Sequence, residues 1–380
     1  MNKIVIVGAG RLGKGFIGEV FEKAGWKITF IDKDNKVIEM LNENNEYHVT
    51  VHKVEKIDYR IVKGFKAYTW NDEGVVDSII DTDLIMMALY PEDFPDAFSS
   101  LKPALYKRLE KNPLKKLSIV CLTNKNHLMK NFKEIILNSE SPEFVSWYKN
   151  MITLSDSIIR RSTDANSNHS IDIHSTAVLS LLIEKPLNAP LEKVEWMEPV
   201  DNLELLKDLK VFSVNGPHVT SAFAGQYYGY SIWNDAMNDK RVSSLVEQVS
   251  LEINQAILNN YPVSKQDLNN LSVFPVAKGN MEDTILRIAK DPIRKLGKHD
   301  RLVGIAEVAE KSNLSFDALS RSIALGYLYK NEDDEKSLEL QKVIQNYGIE
   351  SAIQKISEIE PDTILFKKVL NYYKQLQTNH

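Results

Sequence analysis

Apolar and polar residues change rhythm along this chain, and the changes mark its elements. KIVIVGAGRLGKGFIGEVFEKAG opens as an apolar strand and a glycine-rich turn, then a helix whose apolar residues recur at a period of about 3.6. KITFID follows as a second strand ending in Asp32, and NKVIEMLNEN as a second helix. DLIMMALY and LSIVCLTN read as later buried strands, separated by the helical PEDFPDAFSSLKPALYKRLEK. Strands alternating with helices predict a parallel sheet with right-handed crossovers. From Tyr47 to Trp70 the alternation is that of antiparallel strands, predicting an insertion, and SIDIHSTAVLSLLIEK adds further strand-like sequence. The character changes after EKPLNAPLEKVEW. From about Asp201 helical periodicity dominates, in VSSLVEQVSLEINQAIL, RLVGIAEVAEKS, SFDALSRSIALGYLYK, KSLELQKVIQNYG and TILFKKVLNYYKQL.

The first turn has its own chemistry. Gly8, Gly10 and Gly13 form GxGxxG directly after a strand and at a helix start, with Ala9, Arg11 and Leu12 between them. In that context the first glycine makes the tight turn and the second lets backbone approach a pyrophosphate. The third packs helix on strand, and the helix N-terminus faces the phosphates. Asp32, at the end of the second strand, suits both ribose hydroxyls of NAD and repels the extra phosphate of NADP; Lys33 beside it leaves some NADP tolerance open. Ala88, in the strand DLIMMALY, is a further cofactor-site candidate. The expected fold is therefore α/β: residues 1–198 form a Rossmann-type doubly wound sheet with antiparallel insertions, and residues 199–380 a mostly helical substrate and catalytic domain.

Bulk properties narrow the function by exclusion. The 380 residues are 43% hydrophobic and 26% charged with a net charge of −5, which gives no reason to expect nucleic-acid or membrane binding. No apolar run approaches the roughly 20 residues of a membrane span, and MNKIVIVGAG has no signal-peptide character, so a cytoplasmic protein is expected. The single cysteine, Cys121, fits a reducing compartment and reads as a small core residue. The sequon Asn168-His169-Ser170 has meaning only in a secreted protein. His48 and His52 alternate along YHVTVHKV as on the polar face of a strand, with no cysteine or acidic cluster beside them, so no metal site is expected.

A nicotinamide partner gives meaning to KVFSVNGPH, which spaces Lys210, Asn215 and His218 as K-x4-N-x2-H. Hydride leaves a carbinol carbon only if the hydroxyl proton is removed too, so a site without zinc takes its general base from a side chain. A lysine serves if burial and the positive nicotinamide ring lower its pKa. Asn215 is placed to donate to the developing alkoxide and His218 to hold an adjacent hydroxyl. Pro217 argues against an uninterrupted helix, so the helix is expected to start or kink near Asn215 with Lys210 at its entrance.

These residues also carry a resemblance. GAGRLGKGFIG, the Lys210/Asn215/His218 segment and RIAKDPIRKLGKHDRL together resemble the zinc-independent, polyol-specific long-chain dehydrogenases (the mannitol dehydrogenase family), in their shorter polyol-phosphate branch of mannitol-1-phosphate 5-dehydrogenases. The likeness runs from the first strand to the C-terminus. It implies that Lys210 is the general base, Asn215 an oxyanion donor and His218 a substrate-hydroxyl partner. It also implies a second oxyanion asparagine after a strand ending in a Cys-Glu-Asn-like segment; here Cys121-Leu122-Thr123-Asn124 makes Asn124 the candidate and Asn126 its rival. An arginine and a lysine eight residues apart contact substrate in the family, a spacing shared by Arg287 and Lys295, with Arg294 beside them; read alone, these three are a solvated basic helix face. Where the family has a Val-Asp-Arg-like segment, this chain has Ile159-Arg160-Arg161, so Arg160 replaces a carboxylate expected to bind substrate hydroxyls and becomes a candidate anion clamp. The implied reaction is interconversion of a sugar-alcohol phosphate and a ketose phosphate with NAD, D-mannitol 1-phosphate and D-fructose 6-phosphate being the family's pair. A small anionic substrate is the expected partner, in a monomer or homodimer. The alternatives are a uronate reductase acting on tagaturonate or fructuronate, a 3-hydroxyacid dehydrogenase, whose Lys and Asn are more closely spaced, and a non-catalytic NAD-binding sensor.

Overall fold

The computed structural model describes residues 1–52, 56–159, 163–165, 171–176, 181–272 and 283–378. The chain forms two compact units that divide at residue 207, inside the helix Leu203–Ser213.

The strands of the first unit are β1 (Lys3–Val7), β2 (Lys27–Asp32), β3 (Glu46–His52), β4 (Ile57–Lys63), β5 (Lys66–Thr69), β6 (Leu84–Met87), β7 (Leu117–Cys121), β8 (Ile152–Ser155), β9 (Ser157–Ile158), β10 (Thr163–Ala165), β11 (Ile173–Thr176), β12 (Leu181–Glu184) and β13 (Met197–Val200). Six of them form one sheet, ordered β5-β2-β1-β6-β7-β8, in which every pairing is parallel. Counting only these strands, this is the 3-2-1-4-5-6 order of dinucleotide-binding sheets, whose direction of winding reverses between β1 and β6. The continuous apolar runs KIVIV, LIMM and LSIVC follow from burial on both faces. Ile4 and Ile6 pack on one face with Phe16, Phe21 and Phe30; Val5 and Val7 pack on the other with Phe94, Phe98 and Leu101 from the helix Phe94–Lys111. That helix also buries Arg108 completely. Its guanidinium donates to the carbonyls of Ile79, Ile80, Thr82, Lys115 and Lys116, which tie together the loops at the amino ends of β6 and β7.

The segment from Tyr47 to Trp70 divides into two kinds of strand. β3 and β4 are the antiparallel insertion, in a sheet ordered β10-β11-β3-β4. β5 instead joins the parallel sheet as an edge strand beside β2. An edge strand has only one buried flank, so its alternation resembles that of the hairpin before it. A third sheet, β13-β12-β9, completes the unit.

Among its described residues the second unit is helical, apart from one bridge between Ile232 and Thr284. Lys240–Asn260 buries Val242, Leu245, Val249, Ile253, Ala256 and Ile257, the stripe expected of an amphipathic helix. Asn215–Tyr227 is buried nearly all round, including the run from Val219 to Gly225, and so runs through the interior of this unit. None of the described helices is long and apolar enough to cross a membrane.

Candidate active site

At the turn after β1, Gly8 has φ +95°, and a Cβ there would overlap the carbonyl oxygen of Ala88; one on Gly13 would overlap that of Gly8. Gly10 faces open space, with nothing within 4 Å of the position of its Cβ. The turn is closed by bonds to neighbouring strands, from Gly8 N–H to Ile31 C=O (2.8 Å) and from Ala88 N–H to Val7 C=O (2.7 Å). Ala9 N–H donates to Asp32 Oδ2 at 2.6 Å and Asp34 N–H to Oδ1 at 2.9 Å, so the carboxylate is fixed beside the glycine turn. Arg11 is exposed at the turn, whereas Leu12 packs against the core. Lys33 turns to Asp93 at 2.5 Å. Open backbone at Gly10 and an oriented carboxylate at the second strand end fit a dinucleotide's pyrophosphate and ribose.

The following helix departs from the expected period. Gly13–Gly18 is a π-helical stretch that leads into Glu19–Lys23. The hydroxyl of the buried Tyr47 donates to Lys14 C=O at 3.0 Å, an outside donor at the level where the turn widens. Lys14 itself is buried and reaches Ile171 C=O at 3.3 Å; burial lowers its pKa, opposed by Asp172 and Asp32.

Lys210 lies in the last turn of Leu203–Ser213, Val214 interrupts the helix, and Asn215 starts the next. The break is slight. Val214 N–H donates to Lys210 C=O (3.1 Å) and His218 N–H to Val214 C=O (3.3 Å), so Lys210 and His218 follow one another along a nearly continuous helical row. Pro217 has no N–H to continue the ladder at its own level. Gly216 is small for a second reason, since a Cβ there would come 3.0 Å from Arg301 C=O.

His218 sits in a charged array that the sequence reading missed. Its Nε2 lies 3.8 Å from Asp283 Oδ2, and Asp283 is gripped by Arg287 through both Nε and Nη2. The Trp233 ring meets His218 edge-on at 5.8 Å, and its Nε1 donates to Ser221 Oγ, which in turn donates to His218 C=O. Burial lowers the His218 pKa, Arg287 and Arg301 add to the effect and Asp283 opposes it, so the imidazole is neutral near pH 7 and able to donate or accept a hydroxyl hydrogen bond. The Asp283/Arg287 spacing of i,i+4 was a readable signal for this pair.

Arg287, Arg294 and Lys295 do not share one solvated helix face. Arg287 belongs to Ile285–Ala289 and the other two to Pro292–Lys295, with Asp291 between them in a left-handed conformation at φ +62°. Arg287 and Arg294 are exposed, Arg294 reaching Asp291 at 3.2 Å and Asp300 at 3.5 Å, while Lys295 is buried. Burial first, then Arg294 and Arg301, push the Lys295 pKa down to about 8 against Asp291 and Asp300.

In the first unit, Asn124 follows β7 and accepts from Ile159 N–H through Oδ1 at 3.0 Å, which turns the donating end of its amide away from Ile159. Asn126 donates to Glu204 C=O at 2.8 Å. Arg160 and Arg161 lie outside the described residues. Cys121 is fully buried and its thiol is held well above its ordinary pKa, as befits a core residue. His52 Nε2 meets His174 Nδ1 across β3 and β11 at 2.9 Å; among the described residues no three His, Cys, Asp or Glu side chains group as metal ligands. A second pair had no local signal at all. Lys207 donates to both oxygens of Asp156, 51 positions earlier, at 2.7 Å each, and to Lys125 C=O at 3.0 Å.

Comparison with known proteins identifies the family of both halves of the chain. Residues 2–194 match the mannitol dehydrogenase Rossmann domain, and residues 202–379 the mannitol dehydrogenase C-terminal domain. A mannitol-1-phosphate 5-dehydrogenase of Caldanaerobacter subterraneus subsp. tengcongensis is 25% identical over 99% of both chains, and one of Streptococcus mutans 26% identical over 99% of this chain and 100% of its own. Among solved structures, a substrate-free D-sorbitol dehydrogenase superposes with a TM-score of 0.80 at 16% identity, covering 99% of this chain and 93% of its own. Pseudomonas fluorescens mannitol 2-dehydrogenase, solved with NAD and D-mannitol, gives 0.62 at 13% identity, covering 100% and 92%. With both of its halves matched, the chain belongs to the mannitol dehydrogenase family.

Proposed function

We propose that this chain is an NAD-dependent, zinc-independent dehydrogenase that interconverts a sugar-alcohol phosphate and a ketose phosphate, D-mannitol 1-phosphate and D-fructose 6-phosphate being the favoured pair. The observation that supports the reading is the row Lys210–Val214–His218 with Asn215 at the helix start, a candidate base and two polar partners on one nearly continuous helical row.

Gly8, Ala9, Gly10, Arg11, Leu12, Gly13, Asp32 and Ala88 would hold the dinucleotide, which supplies the hydride acceptor. Lys210 takes the hydroxyl proton as the carbinol carbon gives up its hydride, and returns it in the reverse direction. Asn215 donates to the oxygen on which negative charge develops, and Asn124 is assigned the second donor role. His218, neutral and held by Ser221, Trp233 and Asp283, binds an adjacent substrate hydroxyl. Arg287, Lys295 and Arg294 are assigned to the phosphate, for which a guanidinium fork and a buried ammonium are suited; Arg160 is assigned as an additional anion clamp.

The test is NADH oxidation with fructose 6-phosphate, fructose, tagaturonate and fructuronate, by the wild-type chain and by Lys210→Ala. Turnover on fructose 6-phosphate is expected, with kcat reduced by about 10³-fold or more in Lys210→Ala and NADH binding retained. Unchanged turnover removes the base assignment. Turnover confined to a uronate replaces the phosphate by a carboxylate and leaves the proton chemistry standing.

A further inference from the structure

The second unit has a cavity of 280 Å³ lined by none of the residues assigned to the reaction. Lys240, Ser244 and Gln248 occupy positions i, i+4 and i+8 of the helix Lys240–Asn260 and so follow one line along it. Gln248 Nε2 lies 3.4 Å from Ser244 Oγ. Arg321 and Tyr228 complete the wall, with Arg321 Nη2 at 3.4 Å from the Tyr228 hydroxyl.

The charges here are unbalanced. Arg241 is neutralised, gripping Asp239 and covering the Tyr228 ring at 4.0 Å. Arg321 is half-buried, yet no described carboxylate lies within ion-pairing distance of it. Asp317, one helical turn before it, is taken by Lys368 at 2.6 Å. Lys240 likewise has no ion pair among the described residues. Partly desolvated cations are ordinarily paired, because burial without a counter-charge costs free energy. The half-buried Arg321 guanidinium and the exposed Lys240 ammonium, together with the hydroxyl of Ser244 and the amide of Gln248, match a phosphate group carrying −1.5 to −2 charge at about pH 7.

We infer that this cavity is a binding site for the phosphate group of a small phosphorylated metabolite, or for free phosphate, separate from the residues that would clamp substrate. An effector of the same chemical class as the proposed substrate would then act on the enzyme from a second place.

The test is calorimetric titration of inorganic phosphate, with glycerol phosphate as a second probe, into the chain saturated with NADH. The background is Arg287→Met/Lys295→Met, so that substrate-clamp binding does not contribute. One equivalent of phosphate is expected, its affinity falling about tenfold or more on adding Arg321→Met and also on adding Lys240→Ala. Tighter binding of glycerol phosphate identifies a monoester as the occupant; equal binding identifies free phosphate. Circular dichroism checks that each variant folds, and if Arg321→Met does not, Lys240→Ala decides. In the wild-type chain Arg321→Met or Lys240→Ala removes one of two equivalents. No uptake in the Arg287→Met/Lys295→Met background, or uptake indifferent to Arg321 and Lys240, overturns the site. Two equivalents persisting in that background leave this site intact and overturn instead the assignment of Arg287 and Lys295 to substrate.

Discussion

Lys207 and Lys295 are hidden from water to the same degree, 4% and 5% exposed, in opposite circumstances. Lys207, in the first unit, is closed off: both oxygens of Asp156 and the carbonyl of Lys125 take its three N–H groups. Burial pushes the Asp156 carboxyl up and the Lys207 ammonium down, and each partner opposes the shift in the other. Lys295, in the second unit, has no carboxylate within ion-pairing distance among the described residues and is flanked by Arg294 and Arg301, which add to the cost of its charge. Burial alone therefore says little about a lysine's role. A buried cation with its counter-ion built in holds structure together, while one surrounded by like charge stores a cost that an arriving anion relieves.

Removing a counter-ion is the strongest way to break this contrast. Asp156→Ala leaves the Lys207 ammonium buried and unpaired, and is expected to lower unfolding stability by about 3–5 kcal/mol in urea titrations at neutral pH. Asp156→Leu/Lys207→Met, which removes both charges, should recover most of that loss. A loss below about 1 kcal/mol in Asp156→Ala would mean that water reaches the pair and that its burial is not the controlling fact. The helix anchored in this way also carries Lys210 one turn further on, so both variants are best judged for stability before their turnover is read.

The corresponding change on the other side should act on binding. Lys295→Met is expected to raise KM for a ketose phosphate by about 10²-fold, the loss of a charge-assisted hydrogen bond of roughly 2–3 kcal/mol, with a smaller change in kcat. Its stability should be unchanged or higher, since a charge held at a cost has been removed. A marked loss of stability with KM unaltered would place Lys295 with Lys207, as a structural cation.

The two lysines also differ in how far the sequence reveals them. GxGxxG, Asp32 and the strand–helix alternation are local patterns, and the parallel sheet with its glycine turn follows from them directly. Lys295 could be named because it lies eight residues from Arg287, although its burial could not, because the break at Lys290-Asp291-Pro292 starts a new helix in which Arg294 stays exposed and Lys295 is buried. The Asp156–Lys207 pair spans 51 positions and was illegible, as no periodicity links its members. β5 was misplaced for a related reason: an edge strand and a hairpin strand show the same alternation, and only the pairing with β2 tells them apart. The π-helical stretch receives a hydrogen bond from a tyrosine 33 positions away, a contact that no local pattern announces.

The smallest expected effect is in pH, and it separates the two lysines without mutating Lys207. The folded pKa of Lys295, about 8, lies below the ordinary lysine value of 10.5. The cost of its charge is therefore fully present below pH 8 and is relieved as pH rises from 8 toward 10.5, where the folded chain has released a proton that the unfolded chain still holds. Lys295→Met should gain stability over wild type below pH 8, and the gain should shrink across that window. Binding changes in the opposite direction. A phosphate monoester is already dianionic above about pH 7, so a rise in wild-type KM of up to about tenfold per pH unit above 8 reports loss of the Lys295 charge. In Lys295→Met the KM should be flat over the same range, while kcat, which under the proposed mechanism depends on Lys210 as base, keeps its own profile. A parallel rise of KM in both proteins would assign the titration to another group and leave Lys295 without a part in holding the phosphate.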